Sequence, residues 1–252
     1  MLEIRHLTKV YDGRVRALED VSFTVDKGEF LVIVGLSGSG KSTLMRCINR
    51  LVEPTSGQVF LDGVDVTAAA PEELRHIRRK IGMVFQHFNL VKRSTVLTNV
   101  LSGRLGYVNA GASLLHRFPP EEVDRAMANL ERVGIAEKAQ VRADELSGGQ
   151  QQRVGIARAL MQDPEMILAD EPVSALDPAT SHSVLRYLEE INRDDGTTIM
   201  CNLHFLDLAR RYGTRIIALK GGRLIFDGLP SEIDRDRFRE IYGEEAVEVG
   251  VS

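Results

Sequence analysis

The chain has no tryptophan and only two cysteines in its 252 residues. Cys47 and Cys201 lie far apart, which excludes a disulfide framework and predicts a reducing compartment. Aromatic residues make up only 6% of the chain. That scarcity argues against an all-β sandwich and against a surface that stacks on nucleobases. Excess charge of either sign is also lacking: the formal net charge is −4 and the pI about 5.9. A protein that tracks a phosphate backbone carries a basic footprint, so nucleic acid is not an expected partner. Long apolar runs are missing. FLVIV (30–34) falls far below the roughly 18 residues that a membrane span needs. The opening MLEIRHLTKVYDG has no apolar stretch of the signal-peptide kind. Any membrane contact is therefore expected through a partner, from the cytoplasmic side.

What is present is a 43% hydrophobic chain, enough for one large domain with a sizeable core. Residues 1–28 alternate apolar and polar, which predicts short half-buried strands. EFLVIVG is a continuous apolar run ending in glycine, the pattern of a strand buried on both faces. KSTLMRCINRLV follows with helical periodicity through Leu44, Ile48 and Leu51. GQVFLDGVDV predicts a strand pair about Asp62-Gly63, and KIGMVFQ another buried strand. From about 87 to 160 the pattern turns helical. PPEEVDRAMANLERVGI sets Val123, Met127, Leu130 and Val133 on one face, with Glu121 and Glu122 in the first turn. Strand signals return at EMILAD, TTIMCNL and RIIALKGGRLIFDG, the last a hairpin about Gly221-Gly222. The fold class is α/β, with a largely parallel core interrupted by a helical insertion. No internal repeat is visible.

Three stretches carry chemistry. GLSGSGKST (35–43) fits the phosphate-binding pattern G-x-x-x-x-G-K-[ST], directly after a buried strand and before a helix. Its glycines let backbone N–H groups turn around phosphate oxygens, and the helix start adds its positive end. Lys41 would reach the β- and γ-phosphates, and the Ser42 hydroxyl would ligate Mg²⁺. MILADEP ends an apolar strand in two carboxylates. Asp170 can hold Mg²⁺ through its water, and Glu171 can orient and deprotonate an attacking water. LSGGQQQRVGIARAL (146–160) opens a helix on a capping box of Ser147 and Gln150. Gly148 and Gly149 leave that helix start bare, a second anion site. Two such sites lie over a hundred residues apart. A dimer in which each chain offers its second site to the other's nucleotide would use both.

Cys201 and His204, three apart, raise a metal pair or a nucleophile with its base. The only other cysteine is far away, which disfavours the metal. Cys201 then reads as a small core residue of a buried strand.

On these motifs the chain resembles the nucleotide-binding subunit of ABC (ATP-binding cassette) transporters, from the first strand to about residue 228. The resemblance implies a P-loop NTPase with a RecA-like core, an antiparallel β subdomain and an inserted α-helical subdomain. Residues 1–86 and 161–228 would form core and β subdomain, 87–160 the helical subdomain with the LSGGQ signature, and 229–252 a short C-terminal tail. It implies ATP and Mg²⁺ as cofactors. Gly35, Ser37, Gly38, Ser39, Gly40, Lys41, Ser42 and Thr43 match the cradle, and Ser147, Gly148, Gly149 and Gln150 the signature. Tyr11 matches the aromatic that stacks on adenine. Gln86 matches the glutamine that touches Mg²⁺ or the attacking water, so Ser42, Gln86 and Asp170 would share the metal. Asp177, in SALDP, matches the loop that contacts the partner's cradle. His204 matches the histidine that reaches the γ-phosphate and holds Glu171. Lys41, Gln86, Glu171 and His204 would form the catalytic set.

Cargo is read from weaker features. LTNVLSGRLG (97–106), RVGIARALMQDPEMILADEPVSALDP and CNLHFLDLARRYGTRIIALKGGRLIFDG resemble the ATPase of phosphonate importers. One departure is Phe205, where that branch carries glutamine after the histidine. The expected function is therefore to power uptake of phosphonates, or of phosphite and related oxyanions. The implied partners are a second copy in a head-to-tail ATP sandwich, two integral-membrane permease subunits and, indirectly, an extracytoplasmic solute-binding protein. The alternatives are an importer ATPase for methionine or polar amino acids, or a soluble non-transport ABC ATPase. Methionine cassettes carry a C-terminal regulatory domain, for which the residues after Gly228 are too few. Soluble members carry a long coiled-coil insertion or two cassettes per chain, and this sequence shows neither.

Overall fold

The alternating N-terminal segment forms two strands that are longer than the pattern predicts. β1 (Leu2–Tyr11) and β2 (Val15–Val25) pair antiparallel along their length. The alternation breaks at register shifts between Ile4 and Leu7 and between Leu7 and Lys9. His6 (φ 51) and Asp20 (φ 55) are left-handed there, so the strands bulge without ending. β3 (Phe30–Val34) is the buried run before the glycine-rich loop. The helix after the loop, α1 (Lys41–Ile48), stops short of the predicted Leu51. Arg50 (φ 51) turns the chain out of the helix, and its guanidinium donates to the carbonyls of Val66 and Ala69. Leu51 is consequently exposed rather than on the buried face. β4 (Ser56–Leu61) and β5 (Val64–Asp65) follow about Asp62-Gly63. They complete a four-stranded antiparallel sheet of order β2-β1-β4-β5.

The computed structural model describes residues 1–107 and 118–243. After α2 (Pro71–Arg79) and β6 (Ile81–Val84) the chain enters its helical part. This part comprises α3 (Val96–Leu101), α4 (Pro120–Arg132) and α5 (Gly148–Leu160). In α4 the buried residues are Ala126, Asn129 and Leu130, while Val123 and Met127 flank them half-buried. The insertion after GRLG lies largely outside the described residues. The chain then runs through β7 (Met166–Ala169), α6 (Pro178–Asp195), β8 (Thr198–Asn202), α7 (Leu206–Tyr212), β9 (Arg215–Lys220) and β10 (Arg223–Gly228). The second sheet has the order β10-β9-β3-β8-β7-β6. Its pairings are parallel except for the β9–β10 hairpin, which turns on left-handed Gly221 and Gly222. Every residue of β3, β6, β7 and β8 is buried, as a sheet covered on both faces requires. One apolar cluster lies between this sheet and the antiparallel one, around α1. The other joins its opposite face to α5, α6 and α7. After Gly228, α8 (Arg235–Tyr242) caps on Asp234 and seats Phe238 and Ile241 in the second cluster. Among the described residues no helix is long and apolar enough to cross a membrane.

Candidate functional site

The parallel strands β3, β7 and β8 end side by side, and the polar residues just past their ends form the site. β3 runs into Gly35 (φ 142), where a Cβ would lie under 3.0 Å from the Leu219 carbonyl oxygen. Gly40 (φ 106) closes the loop, and a Cβ there would meet the Ala17 carbonyl as closely. Only glycine satisfies both positions. Ser37 and Gly38 stand exposed at the tip of this cradle, and Thr43 is half-buried on α1. Ser39 is buried with no hydrogen-bond partner for its hydroxyl.

Lys41 is only 3% exposed. Its Nζ donates to the loop carbonyls of Gly35 at 2.8 Å and Leu36 at 3.1 Å. Burial pushes its ammonium below the usual lysine range, opposed by the nearby carboxylates of Glu171 and Asp170. A buried cation held only by neutral carbonyls is under-compensated, and phosphate oxygens would compensate it.

The two adjacent carboxylates diverge. Asp170, 2% exposed, accepts from Ser42 Oγ at 2.7 Å and from Asn202 Nδ2 at 2.9 Å. Its other oxygen lies 3.7 Å from the Arg46 guanidinium. Glu171 has a left-handed backbone (φ 50), an uncommon and strained state for a glutamate. Its Oε1 lies 2.8 Å from His204 Nε2, and its Oε2 accepts from Gln86 Nε2 at 2.8 Å. Gln86 also donates to Ser174 Oγ at 3.2 Å. Ser42 and Asp170 thus form one cluster, and Gln86, Glu171 and His204 a second beside it. Tyr11 belongs to the other sheet. It pairs with Val15, near the Ala17 that underlies Gly40, and Lys9 Nζ stands 4.9 Å from its ring centre.

The signature residues occupy a different place. Ser147 Oγ accepts from the Gln150 N–H, and Gln150 Oε1 from the Ser147 N–H, so the capping box is formed. The atoms nearest Gly148 belong to Leu176 and Phe88, and those nearest Gly149 to Thr180. Asp177 caps α6, accepting from the Thr180 N–H at 3.0 Å. That bonding holds its carboxyl below the usual aspartate range. The starts of α5 and α6 therefore lie together, with no cradle residue among these neighbours.

Sequence reasoning missed Asn202 and Arg46. A polar residue ending the apolar strand TTIMCN pointed to the first, and the four-residue spacing from Ser42 on α1 to the second. Cys201 is fully buried in β8 beside this site, and burial raises its thiol. A thiol held neutral is no nucleophile.

The comparisons with known proteins agree with this geometry. A family model described as ABC transporter matches residues 18–174. Phosphonates import ATP-binding protein PhnC of Bdellovibrio bacteriovorus is 54% identical over 250 residues, covering 99% of this chain and 96% of that one. Phosphonates import ATP-binding protein PhnC 3 of Halalkalibacterium halodurans is 53% identical, over 96% of this chain and 94% of that one. Among solved structures, the ADP conformation of the cassette MJ1267 superposes with a TM-score of 0.83 at 31% identity, over 96% of each chain. The dimeric post-hydrolysis state of the cassette MJ0796, bound to ADP and Pi, gives 0.81 at 39% identity, over 91% of this chain and 99% of that one. With a glycine-bounded cradle, a buried lysine and paired carboxylates on a P-loop fold, the chain belongs to the ABC transporter family as an ATP-hydrolysing cassette.

Proposed function

We propose that this cassette powers import of phosphonates, or of phosphite and related oxyanions, as a homodimer under two permease subunits at the cytoplasmic face of a membrane. The observation that carries the dimer is the separation of two anion-binding helix starts. The start of α1 is built into the cradle, while that of α5 has Phe88, Leu176 and Thr180 for neighbours. A second copy placed head to tail would set each Ser147-Gly148-Gly149 start on the other copy's nucleotide, with Asp177 beside it. A cleft of about 350 Å³ between the helical part and the core, lined by Arg79, Met83, Phe85 and Tyr107 among others, suits a permease segment. The cargo reading is supported by relatives named as phosphonates import proteins at 53–54% identity over nearly the whole chain. Selectivity would reside in the permease and in an extracytoplasmic binding protein.

The site's own residues divide the work. Lys41 exchanges its loop carbonyls for phosphate oxygens, and Tyr11 stacks on the adenine. Ser42 and Asp170 offer the hard oxygen donors that suit Mg²⁺, and Gln86, with Nε2 committed to Glu171, still has its carbonyl oxygen to contribute. Bound there, Mg²⁺ would supply positive charge to the β- and γ-phosphate oxygens. Glu171 takes the proton of the attacking water. His204 and Gln86 hold its carboxylate, one on each oxygen.

Glu171→Gln tests this reading. Loss of a general base costs about 10²–10⁴ in rate. The variant is expected to bind ATP, lose turnover and accumulate as an ATP-bound dimer in size-exclusion chromatography. Native turnover in the variant would remove Glu171 from the mechanism. For the cargo, the cassette is assembled with its permease and binding protein, and alkylphosphonate, phosphite, phosphate and methionine are compared as stimulants of ATPase activity. Stimulation by methionine alone would overturn the phosphonate reading.

A further inference from the structure

The peptide that follows Gln86 is held in an unusual state. Phe88 (φ 59) and Asn89 (φ 49) are consecutive left-handed residues, and neither is glycine. Two such residues revert to extended or right-handed backbone unless the surroundings hold them. The guanidinium of Arg158, on α5, spans both: its two terminal nitrogens donate to the Phe88 carbonyl at 2.9 Å and the Asn89 carbonyl at 2.5 Å. Phe88 also lies along α5. Its ring faces Gly148 at the helix start and its carbonyl faces Gly155, two turns later. The loop carrying Gln86 is thereby fastened to the helix carrying the signature.

We propose that Arg158 is a positioning residue that couples Gln86 to the signature helix. By fixing the left-handed pair, it sets where Gln86 projects and keeps its amide on Glu171. This inference rests on the role proposed above for Gln86 and adds the residue that holds the loop behind it.

A double-mutant cycle on the full chain tests it, using Gln86→Ala, Arg158→Ala and the pair, with turnover at saturating ATP and equilibrium ATP binding. Arg158→Ala is expected to lower kcat about tenfold and to leave ATP affinity within about twofold. In the Gln86→Ala background the same change is expected to cost less than about twofold further, because its effect passes through Gln86. Arg158→Lys keeps the charge but presents a single nitrogen to the two carbonyls, so its kcat is expected to fall between. Should Arg158→Ala fail to fold, Arg158→Lys takes its place in the cycle with the same criterion. Equal losses in both backgrounds, or weakened ATP binding with unchanged kcat, would overturn the coupling while leaving Gln86 in its role. A Gln86→Ala variant as fast as the native chain would instead refute the role of Gln86 itself.

Discussion

Gly40→Ala is the sharpest test of how the cradle is built, because two separate costs meet at one atom. The backbone there has φ 106, outside the left-handed well that asparagine or alanine visits at modest cost. Holding an L-residue in such a state costs about 1–3 kcal/mol. The new Cβ would also fall under 3.0 Å from the Ala17 carbonyl oxygen and 3.0 Å from Leu18 Cδ2. Ala17 belongs to a paired strand, so backbone must move, and overpacking of this kind adds about 1–3 kcal/mol. Together they give about 2–6 kcal/mol, and at about 2–4 °C per kcal/mol for a chain of this size the melting temperature falls by roughly 4–24 °C. Gly38→Ala is the control. Its φ is 77 and nothing lies within 4 Å of the added Cβ. Only the backbone term remains, about 1–2 kcal/mol. Differential scanning calorimetry measures both, and a fluorescent ATP analogue reports binding, which Gly40→Ala is expected to lose. Equal melting shifts in the two variants would refute the claim that Ala17 shapes the cradle.

Other outcomes follow from the same contacts. Gly149→Ala drives a methyl into the Thr180 side-chain methyl and is expected to destabilise the paired helix starts; Thr180→Ser removes that methyl and is expected to recover most of the loss in thermal melts. A double variant as unstable as Gly149→Ala alone would refute the packing. For Asp177, the bonds from Thr180 lower the folded carboxyl below 3.8, so its charged cap is fully present above that pH and is lost as the pH falls through the folded value. Asp177→Asn keeps a capping oxygen without the charge, so the native chain's advantage over it is expected above pH 3.8 and to vanish in more acid solution. The thiols of Cys47, pushed up to about 11 by burial, and Cys201, raised further, are expected to resist a disulfide reagent at pH 8 in the native chain and to react after denaturation. Rapid labelling of either thiol in the folded state would contradict their placement.

What was legible in the sequence was local. The cradle needs glycine at fixed places and a lysine and serine at the helix start, so nine residues carry it. The capping box of Ser147 and Gln150 is likewise a three-residue spacing. Buried strands announced themselves because both faces are covered and polar residues drop out. What was hidden depends on distance along the chain. Asn202 reaches Asp170 across 32 residues and Arg158 reaches Phe88 across 70. No spacing rule connects them. The end of α1 departs from the sequence pattern for a related reason: Arg50 leaves the helix to reach carbonyls 16 and 19 residues on, overriding the periodicity at Leu51. The extra length of β1 and β2 was masked by left-handed His6 and Asp20, which break the alternation but not the pairing.

At the pair Asp170-Glu171 the backbone itself sets apart the two roles that the sequence assigns. In an extended strand, neighbouring side chains point to opposite faces, which alone would divide the two carboxylates. That division would leave Glu171 wherever the sheet's other face lies. Instead the chain turns left-handed at Glu171, two residues past the end of β7, and brings its carboxylate between Gln86 and His204. The strain falls on the one residue whose direction matters most for water activation, while Asp170, its N–H still bonded to the Val84 carbonyl, meets Ser42. Phe205, next to His204, is 48% exposed and ends as the residue before α7, while the hydrogen bonds to Glu171 come from His204 and Gln86. Its departure from the phosphonate branch therefore bears on the surface beside the site and not on hydrolysis. A Phe205→Gln variant is accordingly expected to keep the turnover of the native chain, and a large loss would place that surface within the catalytic cycle.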